Sequence, residues 1–145
     1  MTNSLGILIG GLVPALAFGI GALFQKHSND IGIGHSSYLL HFSAGVVVTS
    51  VFAYFLFQDN RMSAQAGLFA VGHGMLFGIG FVCLAIGLTI YQEPISKLVP
   101  LANMSTLVAV VLGLLIFSEH AKLNVTFLLS GAVLIVLGGI LVSRA

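Results

Sequence analysis

The chain has 145 residues, of which 58% are hydrophobic and only 6% are charged, and its mean hydropathy is +1.12. Soluble proteins carry about 25% charged residues, so this composition excludes a water-soluble domain of this length and indicates a helical membrane protein. The formal net charge of +1 provides no basic surface for nucleic acid.

Five apolar segments predict an all-α membrane fold. Because lipid cannot satisfy backbone polar groups, each segment is expected to be a helix that crosses a hydrocarbon layer about 30 Å thick. Residues 1–145 are expected to form one transmembrane domain. The predicted spans cover residues 5–24, 37–57, 64–91, 94–117 and 125–142.

The first span has Pro14 near its middle, four residues after Gly10. Proline has no backbone N–H, so the Gly10 carbonyl loses its helical partner, and a kink or an unwound turn is predicted here. Interrupted membrane helices often line substrate sites, but a simple packing kink is an equally open interpretation. The polar residues 25–35 are interpreted as a loop.

The second and third spans each contain a histidine. His41 lies in the first turns of span two, and His73 shares a helical face with Phe77 in span three, which ends near Tyr91. Ionisable residues inside membranes are rare and often functional, and imidazole can carry a proton near neutral pH. Alternatively, each histidine only bonds a neighbouring helix. Gly74 is followed by Gly78 in a GxxxG pattern, which permits a close helix approach.

The fourth span combines polar residues with a proline. Ser96, Pro100, Asn103 and Thr106 recur every three or four residues, so they are expected on one side of a single helix, with the Ser96 carbonyl freed by Pro100. We interpret this side as one wall of a hydrated cavity. Hydrogen bonding between helices is the alternative. Glu93 and Lys97 could form an ion pair at the start of this span.

The fifth span begins after Asn124, which is a suitable helix N-cap. Gly131, Ile135 and Gly138 predict a narrow ridge for packing against another helix.

Chemistry other than transport has little support in the sequence. The chain contains no phosphate-binding GxxxxGK[ST] pattern, no zinc-ligand spacing and no carboxylate within its spans. Neither a metal nor a cofactor is expected, and the protein is not expected to be an enzyme or an ATP-driven motor. The single Cys83 rules out an intramolecular disulfide.

The basic residues do not define an orientation. With the N-terminus in the cytoplasm, Arg61 and Lys122 would lie inside, whereas Lys26, Lys97 and Arg144 would lie outside. A chain with so little bias is expected to insert both ways and to pair with its own inverted copy as an antiparallel homodimer. An oppositely oriented paralogue is the alternative partner.

The last third of the chain, LVPLANMSTLVAVVLGLLIFSEHAKLNVTFLLSGAVLIVLGGILV, resembles the C-terminal part of an EamA-type repeat of the drug/metabolite transporter superfamily. Most members have two such repeats in ten spans, whereas this chain resembles the five-span branch with one. The first span has no acidic residue, unlike the four-span multidrug relatives, so drug export coupled to a membrane glutamate is not expected. The features that carry the resemblance are Pro100, Gly113, Glu119, Gly131 and Arg144.

The resemblance implies transport by alternating access across the cytoplasmic (inner) membrane, with a central cavity lined by spans one to four and span five at the repeat interface. The sequence therefore predicts a secondary transporter of a small polar metabolite. A lipid-linked-sugar flippase subunit and a non-transporting membrane scaffold are the alternatives. The residues expected to bind substrate are His41, His73, Phe77, Tyr91, Ser96, Asn103 and Thr106.

Overall fold

The computed structural model describes residues 4–57, 61–117 and 123–144. These residues form helices and no strands, and five helical spans are long and apolar enough to cross a membrane. The predicted class, a multi-pass helical membrane protein, is confirmed at this level. The elements are α1 (Ser4–Ile7), a π-helical turn (Leu8–Leu12), α2 (Val13–Ile31), α3 (His35–Phe57), α4 (Ala64–Thr89), α5 (Ile95–Ala102), α6 (Ser105–Ile116) and α7 (Val125–Ser143).

The helices pack as two units, Met1–Gln92 and Glu93–Ala145. The first unit contains α1 to α4, and the second contains α5 to α7. The expectation of one domain over residues 1–145 stays a prediction.

The first span is longer than expected, because α2 continues to Ile31 instead of ending at residue 24. The residues interpreted as a loop complete two further helical turns, in which Gln25 and Asn29 are buried. Gly32 ends the helix in the left-handed conformation, with φ of 100°, and its N–H bonds the Asn29 carbonyl at 3.0 Å. Polarity is thus a poor guide to the end of this helix, because its polar residues Gln25 and Asn29 are buried inside the unit.

The predicted kink near Gly10 is a widened turn. Leu8–Leu12 is π-helical, and the N–H of Val13 bonds the carbonyl of Leu8, five residues earlier. Pro14 follows directly in α2 and has no backbone N–H to continue this bonding. The span is therefore distorted beside Pro14 without being unwound.

The first unit is held together at one end. The helix α4 packs against both α2 and α3, and the rings of Phe42 and Phe81 lie 4.6 Å apart. Gly78 of the GxxxG pattern approaches the methyl groups of Leu39, whereas Gly74 faces open space. Among the described residues of this unit, the buried ones are Gln25, Asn29, Ala85 and Leu88.

The second unit divides the fourth span into two helices. The span predicted for residues 94–117 is present as Ile95–Ile116, but α5 ends at Ala102 and α6 begins at Ser105, so the helix is interrupted and not continuous. The N–H of Met104 bonds Leu101 and that of Thr106 bonds Asn103, each at 3.0 Å and only three residues apart. Pro100 lies three residues before this break, which is consistent with the weakening of a helix by proline.

The two halves of the fourth span pack on α7. Gly139 is buried there, and a β-carbon at this position would lie 3.2 Å from the Met104 side chain and 3.5 Å from the Pro100 carbonyl oxygen. Gly131 and Gly138 face open space, so the predicted ridge is not the surface that packs within the unit. Ala132, seven residues before Gly139, is the other buried residue of α7.

Two local predictions are confirmed. Asn124 caps α7 by accepting a hydrogen bond from the N–H of Phe127 at 3.3 Å. Lys97 pairs with Glu93 at 3.5 Å. Glu119 and Lys122, which precede α7 in the chain, lie outside the described residues.

Candidate functional site

The residues predicted to bind substrate are divided between the two units. His41, His73 and Phe77 lie on α3 and α4, and Tyr91 follows α4. Ser96 lies on α5, Asn103 at the break, and Thr106 on α6. A single site made from both groups stays a prediction.

The two histidines have different surroundings. His73 is exposed and contacts Phe77 edge to face, with ring centroids 4.7 Å apart. Its imidazole has no hydrogen-bond partner within the part of the chain that the structure describes. His41 instead donates from Nδ1 to the carbonyl of Ser37 at 2.7 Å. The local bond of His41 is typical of a structural role, whereas the His73 imidazole is available to a ligand.

Three hydroxyl groups in the second span are satisfied by their own helix. Ser43, Thr49 and Ser50 each donate to the carbonyl four residues earlier, at 2.8 to 3.0 Å. Such bonds need no external partner, so these side chains can face lipid.

The polar side chains around the break in the fourth span lack such partners. Ser96, Asn103, Ser105 and Thr106 are exposed, and none has a side-chain hydrogen bond to any other described residue. A span inside lipid therefore has four polar side chains that require an external partner.

The break also releases backbone acceptors. In a regular helix the carbonyl of Pro100 would bond the N–H of Met104, and that of Ala102 would bond the N–H of Thr106. Those two N–H groups bond Leu101 and Asn103 instead. The carbonyls of Pro100 and Ala102 thus lose their helical donors, and the Pro100 oxygen lies beside Gly139. Carbonyl oxygens, a carboxamide and hydroxyls therefore occur together within seven residues of the chain.

A further polar pair was not predicted from the sequence. Gln25 is 1% exposed and donates from Nε2 to the carbonyl of Phe81 at 3.2 Å, but its Oε1 has no partner. Asn29, 6% exposed, has no partner for either amide atom. The spacing of four after an apolar span could have suggested a continued helix with both amides on one face.

An open groove of about 610 Å³ lies between α3 and α4 in the first unit. Ser43 provides its one hydroxyl, and that group is bonded to Leu39. His73 and Phe77 do not line it. The lining residues are Leu39, Phe42, Ser43, Val71, Gly74, Met75, Gly78, Ile79, Val82 and Cys83.

No group of three or more His, Cys, Asp or Glu residues suited to a metal ion occurs within residues 4–57, 61–117 and 123–144. Comparisons with protein-family models, with curated proteins and with solved structures found no match.

Proposed function

We propose that this protein is a secondary transporter of a small polar metabolite, working by alternating access as an antiparallel dimer. The observation that carries the proposal is the break in the fourth span at Asn103. The carboxamide of Asn103 and the hydroxyl of Thr106 have no partner within the described chain. Lipid cannot provide one, and an unsatisfied buried polar group costs about 1–3 kcal/mol. A solute in a hydrated cavity would supply the missing hydrogen bonds.

The second copy would complete the enclosure of that cavity. In the most apolar 18-residue stretch of each span, buried residues make up 0%, 0%, 6%, 0% and 11%, taking the five spans in chain order. These faces must therefore be covered by lipid or by another chain. The near balance of basic residues between alternate loops favours an inverted copy as that chain.

The polar groups at the break favour an uncharged or zwitterionic solute. Asn103 supplies a donor and an acceptor, Thr106 supplies a hydroxyl, and the released carbonyl of Ala102 supplies an acceptor. None of these groups is charged, so a strongly charged solute would remain unneutralised in a low-dielectric site. His73, with Phe77 beside it, would add a polar group and an aromatic face in the complete cavity.

Uptake into liposomes tests this function. The full chain, reconstituted in lipid, is offered a panel of labelled sugars, amino acids, polyols and nucleosides. Asn103→Leu and Thr106→Val remove hydrogen-bonding groups with little change in volume, and each is expected to lower uptake of the transported solute by about tenfold. Thr49→Val is the matched control, because the Thr49 hydroxyl bonds its own helix.

Uptake should be almost unchanged in the Thr49→Val control. If all three variants transported as well as the unmodified chain, the break would not bind the solute. Absence of uptake across the whole panel would count against the transporter itself.

The groove between α3 and α4 favours one second candidate, a subunit that flips a lipid-linked sugar. The groove is open and mostly apolar, as an acyl chain that enters from lipid would require. Gly74 faces open space in it, so Gly74→Leu would fill the groove. That variant should stop flipping of a fluorescent lipid-linked sugar while leaving uptake of soluble metabolites intact. A scaffold is less favoured, since its polar groups would be expected to be paired.

A further inference from the structure

The first unit has its buried contacts at one end only. Gln25 and Asn29 lie in the last two turns of α2, and Ala85 and Leu88 lie in the last two turns of α4. Earlier residues of both helices include none that are buried. Movement of the last turns of α2 would therefore open nearly all the contact that α2 makes with α4.

The contact between α2 and α4 leaves most of its buried polar atoms without hydrogen bonds. Among the described residues, one hydrogen bond crosses it, from Gln25 Nε2 to the carbonyl of Phe81 at 3.2 Å. Three atoms, Gln25 Oε1 and both amide atoms of Asn29, have lost water without gaining a partner. An apolar contact would not have this cost of desolvation, so the contact between α2 and α4 is weaker than its burial suggests.

At the same end, the polar side chains that join α3 to α4 are hydrogen-bonded. Thr89 donates its hydroxyl hydrogen to the carbonyl of Ala85 at 2.8 Å. His35 Nε2, 2.8 Å from the Thr89 oxygen, must therefore be the donor in their bond. That bond survives whether or not the imidazole is protonated. The pair α3–α4 thus forms the fixed part of this end, and α2 is the part that can separate.

We propose that the α2–α4 contact at Gln25 and Asn29 is a gate that closes one end of the transport path. The gate opens when the last turns of α2 move away from α4, and water can then form hydrogen bonds with the three unpartnered amide atoms. Lys26 and Asp30, on the outer side of those turns, pair at 2.5 Å and help them to move as a helix. The inference rests on the proposed transport function, but its test does not need a transported solute.

A buried reporter thiol measures opening. Cys83→Ser removes the native thiol, and Ala85→Cys places a new one at a position with 0% exposure in the closed gate. The full chain in lipid nanodiscs is treated with a maleimide that reaches both membrane faces. Asn29→Leu replaces both unpartnered amide atoms with methyl groups on the same branched skeleton. It is expected to favour the closed gate and to slow labelling by about tenfold. Leu88→Cys is the second reporter if Ala85→Cys does not fold.

His27→Leu is the matched control, because it adds the same side chain to an exposed position of the same helix. Its labelling rate should equal that of the parent reporter. Equal or faster labelling in Asn29→Leu would overturn the gate, as would a reporter that never reacts in the parent. Slower labelling in Asn29→Leu, together with no uptake of any solute by the unmodified chain, would refute the transporter and leave the opening of this contact established.

Discussion

At the scale of single residues, polar side chains in the spans differ in whether their own helix satisfies them. Thr49 bonds the carbonyl of Gly45, whereas Thr106 has no described partner. Both are threonines in apolar helices, so residue type alone cannot separate them. The difference arises from local backbone geometry, because Thr106 lies in the first turn after a break. The candidate site is therefore defined by unsatisfied groups, a smaller set than the polar residues of the spans.

Replacement of His73 tests proton coupling. If transport uses a proton, His73, whose imidazole has no partner among the described residues, is the candidate carrier, and His73→Ala should abolish the dependence of uptake on a pH gradient. His41→Ala is the control, because the His41 imidazole is already bonded to Ser37. Uptake in liposomes with different internal and external pH measures both. A pH-driven uptake that persists in His73→Ala would remove this residue from the mechanism.

The burial of Gln25 and Asn29 could not be predicted from local residue patterns. Both residues are polar and follow an apolar run, so the sequence favoured a loop at residues 25–35. The fold buries them instead, because α4 presents the Phe81 carbonyl to Gln25. That acceptor is 56 residues away in the chain, and no local pattern contains it.

At the scale of elements, the number and type of spans could be predicted, because the apolar runs are long and few charges interrupt them. The internal geometry of the fourth span could be predicted only in part. Pro100 marked a defect, but the change in backbone bonding occurs at Asn103 and Met104. The position of the break also depends on α7, where Gly139 lets the Pro100 carbonyl and the Met104 side chain approach.

Restoring a donor at position 100 tests the origin of the break. Pro100→Ala gives the Ser96 carbonyl a partner and removes the steric conflict of the proline ring, so α5 and α6 should join into a more regular helix. Hydrogen exchange of the backbone amides at Met104 and Ser105 should then slow by about tenfold. Pro14→Ala is the control, because Pro14 lies in the first unit, and this change should leave exchange at Met104 and Ser105 unaltered. Unchanged exchange in Pro100→Ala would assign the break to the contact with α7.

At the scale of the whole molecule, a single chain leaves most apolar surface of its spans uncovered. Just three hydrophobic side chains, Ala85, Leu88 and Ala132, are buried among the described residues. Helices in lipid associate through close packing and polar contacts, and Gly131 and Gly138 provide open positions for such packing. The sequence predicts an inverted copy as the preferred partner. The contacts of the assembly could not be predicted from it, because they form between two chains.

Reporters at the C-terminus test the antiparallel dimer. Fusions that are active either only in the cytoplasm or only outside it should both be active, because two basic residues would lie on one side and three on the other. Adding two lysines to a loop on one side should shift the population toward one orientation. A C-terminus found on one side in every molecule would exclude pairing with an inverted copy of itself and would require an oppositely inserted partner chain.

The π-helical turn at Leu8–Leu12 has a consequence for how this protein tolerates changes in length. In a π-helical turn the N–H bonds the carbonyl five residues earlier, so the turn contains one residue more than the α-helical turn that it replaces. Deletion of one residue there would let the turn tighten to α-helical geometry, with Val13–Ile31 undisturbed and Ser4–Ile7 rotated by about 100°. A deletion within α2 would instead turn the buried amide face of that helix by the same angle. The first span thus carries its one dispensable residue near its start.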